Sequence, residues 1–168
     1  MTTARRERER LAREGEILAA AEKLFFEKGF ESTTMDEIAR ESEFTKRTVY
    51  QYFISKEDLF SAVLLKWTER LMDAIRKAVG DGKTGFEKVR LIRDANYRFA
   101  KEYPNAFLMM NYAQYIKSNL AVCPHYGKII GLNKEMFEMF GKMFEAGKQD
   151  GSIRQDFNIQ LGKFALFF

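Results

Sequence analysis

Apolar residues recur every three or four positions along almost the whole chain, and no stretch sustains a period of two. The pattern predicts an all-α protein. Ile17, Leu18, Ala21, Leu24 and Phe25 form one stripe, on a helix from about Glu9 to Lys28 that Gly29 ends. Thr34-Met35-Asp36-Glu37 has the form of a capping box and opens a short helix to near Ser42. Phe44 falls in a tight turn, and Thr45 starts a third short helix ending near Phe53. Ser55-Lys56-Glu57-Asp58 is a second capping box, opening a long helix to about Val79.

Gly80 to Gly85 reads as a linker. It contains Gly-Lys-Thr, but a phosphate-binding loop would need glycine where Lys77 stands. Helices follow at about Phe86–Tyr103, Pro104–Lys117 and Pro124–Lys148, with both prolines in first-turn positions. Gly147 to Phe157 reads as a turn, and a last helix begins near Asn158. The apolar stop, Phe164 to Phe168, points to a chain cut within a buried helix.

Composition narrows the class. Hydrophobic residues are 46% and charged residues 31%, a balance that suits a globular protein and not a disordered one. No apolar run reaches the length of a membrane span, and no signal peptide opens the chain. The single cysteine, Cys123, excludes an internal disulfide and fits a reducing cytoplasm, so a cytoplasmic protein without membrane partners is expected.

The net charge of +4 hides a pattern. Arg5, Arg6, Arg8, Arg10 and Arg13 outweigh Glu7 and Glu9 at the start. An acidic stretch follows from Glu14 to Glu43, and then Lys46, Arg47 and Lys56 stand without any acid between Phe44 and Lys56. Two short basic clusters around an acidic body suit focused phosphate contacts; a solvated helix face would give the same counts.

Thr34 to Phe53 carries the chemistry. Ala39 is small enough for two short helices to cross closely, as a helix-turn-helix requires. The second of them presents Thr45, Lys46, Arg47, Thr48, Tyr50, Gln51 and Tyr52, which are donors and aromatics with no carboxylate among them. Such groups fit phosphate oxygens and base edges in a major groove, with Gln51 suited to adenine and Lys46 or Arg47 to guanine. Phe30, Ile38, Val49 and Phe53 are assigned to the core. The five early arginines read either as an arm reaching phosphates or a minor groove, or as a merely solvated start.

Lys28-Gly29-Phe30, Thr33-Thr34, Ile38-Ala39, Thr45, Thr48-Val49-Tyr50, Tyr52-Phe53, Ser55-Lys56-Glu57 and Leu59-Phe60 together resemble the signature of the TetR family of transcriptional regulators. The likeness covers about a third of the chain. It departs from the family at Glu43, where glycine is usual, and at Arg47, where glycine or alanine is frequent. The resemblance implies a DNA-binding domain over 1–56 and a helical ligand-binding and dimerisation domain over 57–168, incomplete at its C-terminus. It implies DNA contacts at Thr33 and Thr34, phosphate or base-methyl contacts at Tyr50 and Tyr52, and a phosphate contact at Lys56. It further implies a homodimer on a palindromic double-stranded operator, acting as a repressor that a small apolar or aromatic effector releases.

For the second domain, helical stripes supply the candidates. Ile92, Asn96 and Phe99 share one stripe, Leu108, Tyr112 and Tyr115 the next, and Met136 and Phe140 a third; Trp67 lies on the long helix. Such stripes are more often plain core than pocket. The resemblance makes them the lining of an effector cavity, with Asn96 as its polar group. Cys123 and His125 flank Pro124, too few ligands for a closed metal site. No catalytic residue, metal or cofactor is expected. A helix-bundle enzyme is disfavoured because the lone His125 has no local partner for acid–base or metal chemistry. A DNA-binding protein whose second domain only dimerises stays open as an alternative.

Overall fold

The computed structural model describes residues 3–162, and eight helices carry the described residues, with no strand among them. In chain order they are α1 (Thr3–Lys28), α2 (Met35–Glu41), α3 (Lys46–Tyr52), α4 (Lys56–Gly80), α5 (Gly85–Glu102), α6 (Pro104–Tyr112), α7 (Lys117–Leu120) and α8 (Tyr126–Gln149). The all-α reading holds. Residues 159–162 are helical as well; the apolar stop from Phe164 to Phe168 lies outside the described residues.

Local chemistry sets the boundaries. Gly29 ends α1 with φ 81°, a left-handed position without a side-chain penalty. Thr34 caps α2 in a full capping box with Glu37. The Thr45 hydroxyl accepts the Thr48 N–H at 3.1 Å and caps α3. At α4 the box has a different reach. Ser55 Oγ accepts the Asp58 N–H at 3.1 Å, but the Asp58 carboxylate accepts the N–H of Ile54, one residue further back than the cap.

Three differences from the sequence reading have physical causes. The first helix begins at Thr3, not Glu9, because Arg5–Glu9 and Arg10–Glu14 pairs one turn apart support the extra turns. The Gly-Lys-Thr stretch is no plain linker, since Thr84 forms a capping box with Glu87 and opens α5. The sixth helix stops at Tyr112, short of Lys117. The N–H groups of Gln114 and Tyr115 bond three residues back, tightening the chain before α7.

The chain divides into two compact units: residues up to Lys66 together with Leu108–Gly127, and Trp67–Phe107 together with residues from Lys128 onward. In the first, Ile17, Ala21, Phe25, Phe30, Ile38, Val49, Phe53, Leu59 and Phe60 are buried. Phe60 is the centre of an aromatic cluster, with ring centroids 5.4 Å from Phe25, 4.9 Å from Phe30 and 6.1 Å from Tyr112. Each such ring contributes about 1.5–3 kcal/mol by burial. In the second unit Trp67, Ile75, Ile92, Phe99, Phe140 and Phe144 are buried. There Gly85, at the start of α5, lies against the Gly147 backbone near the end of α8, a contact with no room for a Cβ. The chain passes from the first unit to the second within α4.

Candidate nucleic-acid interface

The turn between α2 and α3 is held by their side chains and by one strained residue. Ile38 and Val49 are fully buried, and Ala39 is 5% exposed, so the two short helices meet through small and β-branched residues. Glu43 takes φ 58°, the left-handed region that favours glycine. The Phe44 N–H bonds the Ala39 carbonyl at 3.0 Å and closes the turn. Lys46 Nζ pairs with Asp36 across the two helices at 2.9 Å, and Lys23 pairs with Glu41 to hold α1 to α2.

With Val49 and Phe53 inward, the opposite face of α3 is free. Thr45, Lys46, Arg47, Tyr50 and Gln51 are exposed, while Thr48 and Tyr52 are half-buried. The Thr45 and Thr48 hydroxyls lie 2.9 Å apart. Five of the seven residues read from the sequence as this face are thus exposed, and one of them, Lys46, pairs with Asp36 of α2. The early arginines, Arg5, Arg6, Arg8, Arg10 and Arg13, extend α1 as exposed helix and form no loose arm.

Three residues assigned to DNA by the resemblance are also used within the fold. Thr33 is fully buried; its hydroxyl donates to the Gly29 carbonyl at 2.8 Å and so braces the end of α1. Thr34 is exposed but works as the α2 cap. The Lys56 ammonium donates to the carbonyls of Phe30 at 2.9 Å and Glu31 at 3.4 Å. Below this face Glu37 is a junction. The Lys28 ammonium, then the Thr34 hydroxyl and N–H, hold its carboxyl down to about 2.

The candidate effector residues separate. Trp67, Ile92, Phe99 and Phe140 are buried, and Asn96 and Met136 half-buried, all within the second unit. Trp67 lies edge-on to Phe99 at 6.1 Å and 5.0 Å from Tyr103, with Arg70 over both the indole and the phenol. Leu108 and Tyr115 are 65% and 85% exposed and belong to the first unit. Tyr112 also lies in the first unit; its hydroxyl donates to Glu31 at 2.5 Å, and that bond, with burial second, pushes its phenol up to about 12. Sequence periodicity put these three on a stripe but carries no sign of which core a stripe faces. Two residues left without a site role in the sequence reading, Asp58 and His125, meet beside the end of α3. Only a buried carboxylate could have flagged them, and burial is not visible in the sequence.

Comparison with known proteins agrees with this geometry. Residues 17–63 match the family model described as bacterial regulatory proteins, tetR family. The HTH-type transcriptional repressor KstR2 of Rhodococcus jostii is 27% identical over 149 residues, which cover 89% of this chain and 72% of that one. The HTH-type transcriptional activator FasR of Mycolicibacterium smegmatis is 28% identical over 104 residues, covering 62% of this chain; the match spans only 48% of FasR. Among solved structures, the ketosteroid transcriptional regulator KstR2 of Mycobacterium tuberculosis superposes with a TM-score of 0.72 at 25% identity, over 92% of this chain and 78% of that one. These relatives are transcriptional regulators and not enzymes. Of the described residues, no three form a group able to hold a metal ion, and no helix is long and apolar enough to cross a membrane.

Proposed function

We propose that this chain, whose residues 17–63 match the family model of tetR bacterial regulatory proteins, is a repressor that binds a palindromic operator as a homodimer and is released by a small apolar effector. The observation that carries the DNA half is the α3 face. Its inward residues, Val49 and Phe53, are buried, and Lys46, Arg47, Tyr50 and Gln51 stand outward on a capped helix of seven residues. One such helix offers too few base contacts for specific affinity. Two of them about 34–36 Å apart would read successive major grooves.

The effector half rests on the apolar side chains gathered in the second unit. Trp67, Ile92, Phe99, Met136 and Phe140 supply soft, aromatic surface and Asn96 a polar group, the composition of a site for an apolar molecule. The family relationship supports the same class, and KstR2 is described as a ketosteroid regulator. Leu108, Tyr112 and Tyr115 are left out of this reading. Because α4 contributes residues to both units, it is the proposed lever: an effector that prefers one tilt of α4 changes the spacing of the two recognition helices.

The test begins with duplexes selected from a random library by the full natural chain. Footprinting should show a symmetric site, and sedimentation should show a dimer. Hydrophobic cations, acyl thioesters and aromatic compounds are then titrated with and without the selected duplex. A releasing compound should bind about 5- to 150-fold more weakly to the DNA-bound protein. A compound with equal affinity in both titrations overturns the release mechanism. A monomer on an unsymmetrical half-site overturns the dimer.

A further inference from the structure

The corner between α3 and α4 contains a buried charge with half of its acceptors unused. Asp58 is 4% exposed. Its Oδ2 accepts the N–H of Ile54, the residue after the Phe53 cap of α3, at 3.1 Å. Its Oδ1 has no hydrogen-bond partner among the described residues. A buried carboxylate oxygen without a donor is costly and rare, so its surroundings indicate what is meant to meet it.

What faces it is the segment between α7 and α8. His125 Nε2 stands 3.8 Å from Asp58 Oδ1, and the imidazole lies 6.4 Å from the Phe53 ring. Cys123, two residues earlier, is buried against the same turn. Burial first, then the charge of Asp58, pushes its thiol up; a hydrogen bond with Ser61 opposes them, and Glu57 adds a smaller upward charge effect. Asp58 and the Phe53 ring thus face the imidazole. This histidine is the one histidine of the chain, and it stands beside both the cap of α3 and the carboxylate that ties α3 to α4.

We infer that His125 is a positioning residue for the recognition helix. The turn before α8 closes by roughly 1 Å, which brings Nε2 into hydrogen-bond range of Asp58 Oδ1. Asp58, through Ile54, then fixes where α3 ends. The contact has two arrangements, open at 3.8 Å and closed, and DNA selects the closed one. The inference rests on the reading of α3 as the DNA-reading helix.

The experiment uses the full chain and a duplex recovered by selection, with wild type, H125A, H125Q, D58N and the H125A/D58N double variant. H125A should weaken binding at least about fivefold. H125Q, whose amide can donate to Asp58, should recover most of the loss. The double variant should lose little more than either single one, as for two members of one contact. Without DNA, the Ile54 amide is followed by NMR; H125A should move its resonance and speed its hydrogen exchange, and H125Q should do so less. Wild-type affinity in H125A, additive losses, or an unmoved Ile54 amide overturns the inference. Should D58N fail to fold, the H125A and H125Q pair decides alone. If no duplex is recovered, the DNA reading of α3 falls, and the Ile54 amide still decides whether His125 holds the corner.

Discussion

The ammonium of Lys56 sits 2.9 Å from the Phe30 carbonyl oxygen and 4.2 Å from the centre of the Phe30 ring. One side chain at the start of α4 thereby closes the turn that follows α1. An ammonium has three donors, and two face carbonyls here, so one is left for a phosphate. K56A should therefore act twice. It should lower stability by about 1 kcal/mol, as loss of a half-exposed charged hydrogen bond does. It should also lower the salt slope of DNA binding by roughly one unit. Denaturant titration and affinity across a salt series separate the two effects. A lower stability with an unchanged salt slope would assign Lys56 to the fold alone.

Arg47 and Gln51 stand exposed on the free face of α3. Substituting either with alanine should change which base is preferred at one operator position, by about 1–3 kcal/mol of discrimination. Selection from a random library with each variant gives the preference directly. Equal loss on every operator variant for Q51A would place that residue on the backbone.

Glu37 gives the first unit an acid-sensitive joint. Its carboxyl is lowered from 4.5 to about 2, first by Lys28 and then by Thr34. A depressed carboxylate stabilises the folded state above its ordinary range, and that contribution is lost as pH falls through the folded value. The advantage of wild type over E37Q should thus be full above about 4.5 and fade toward 2. Denaturant midpoints of both proteins across that range make the check; parallel curves would show that the Lys28 contact contributes nothing.

Glu43 holds a left-handed backbone position that glycine takes at no steric cost. Such a conformation costs a side-chain-bearing residue about 1–2 kcal/mol, and glycine gives part of this back as chain entropy. E43G should raise stability by about 0.5–1 kcal/mol, whereas E43A, which keeps a Cβ, should not. Denaturant midpoints at unchanged slope measure both.

Local signals were the legible part of this fold. Thr34, Thr45 and Ser55 marked three helix starts because a cap is written in adjacent residues, and Gly29 marked a stop. The donor-rich face of α3 was legible too, since burial of Val49 and Phe53 fixes the orientation of a seven-residue helix. The rest depended on distant neighbours. Thr33 looked like its exposed neighbour Thr34 until its hydroxyl met the Gly29 carbonyl. Tyr112 lay on an apolar stripe, but nothing in the spacing told that Phe30 and Phe60 would receive it. Thr84 was hidden by the glycines around it, although its box with Glu87 has the same spacing as the one at Thr34.

The unbroken course of α1 changes what its arginines can do. A loose basic tail would be a tether, sampling many positions and paying entropy each time it settles. Here Arg5, Arg6, Arg8, Arg10 and Arg13 are fixed points on a rod that runs into the buried Ile17. At 1.5 Å per residue, Arg5 stands about 18 Å along that rod from Ile17. A rod does not search. Its charges keep one bearing relative to the body that carries them, and because Arg5 pairs with Glu9 and Arg10 with Glu7 and Glu14, what the rod presents outward is set mainly by Arg6, Arg8 and Arg13.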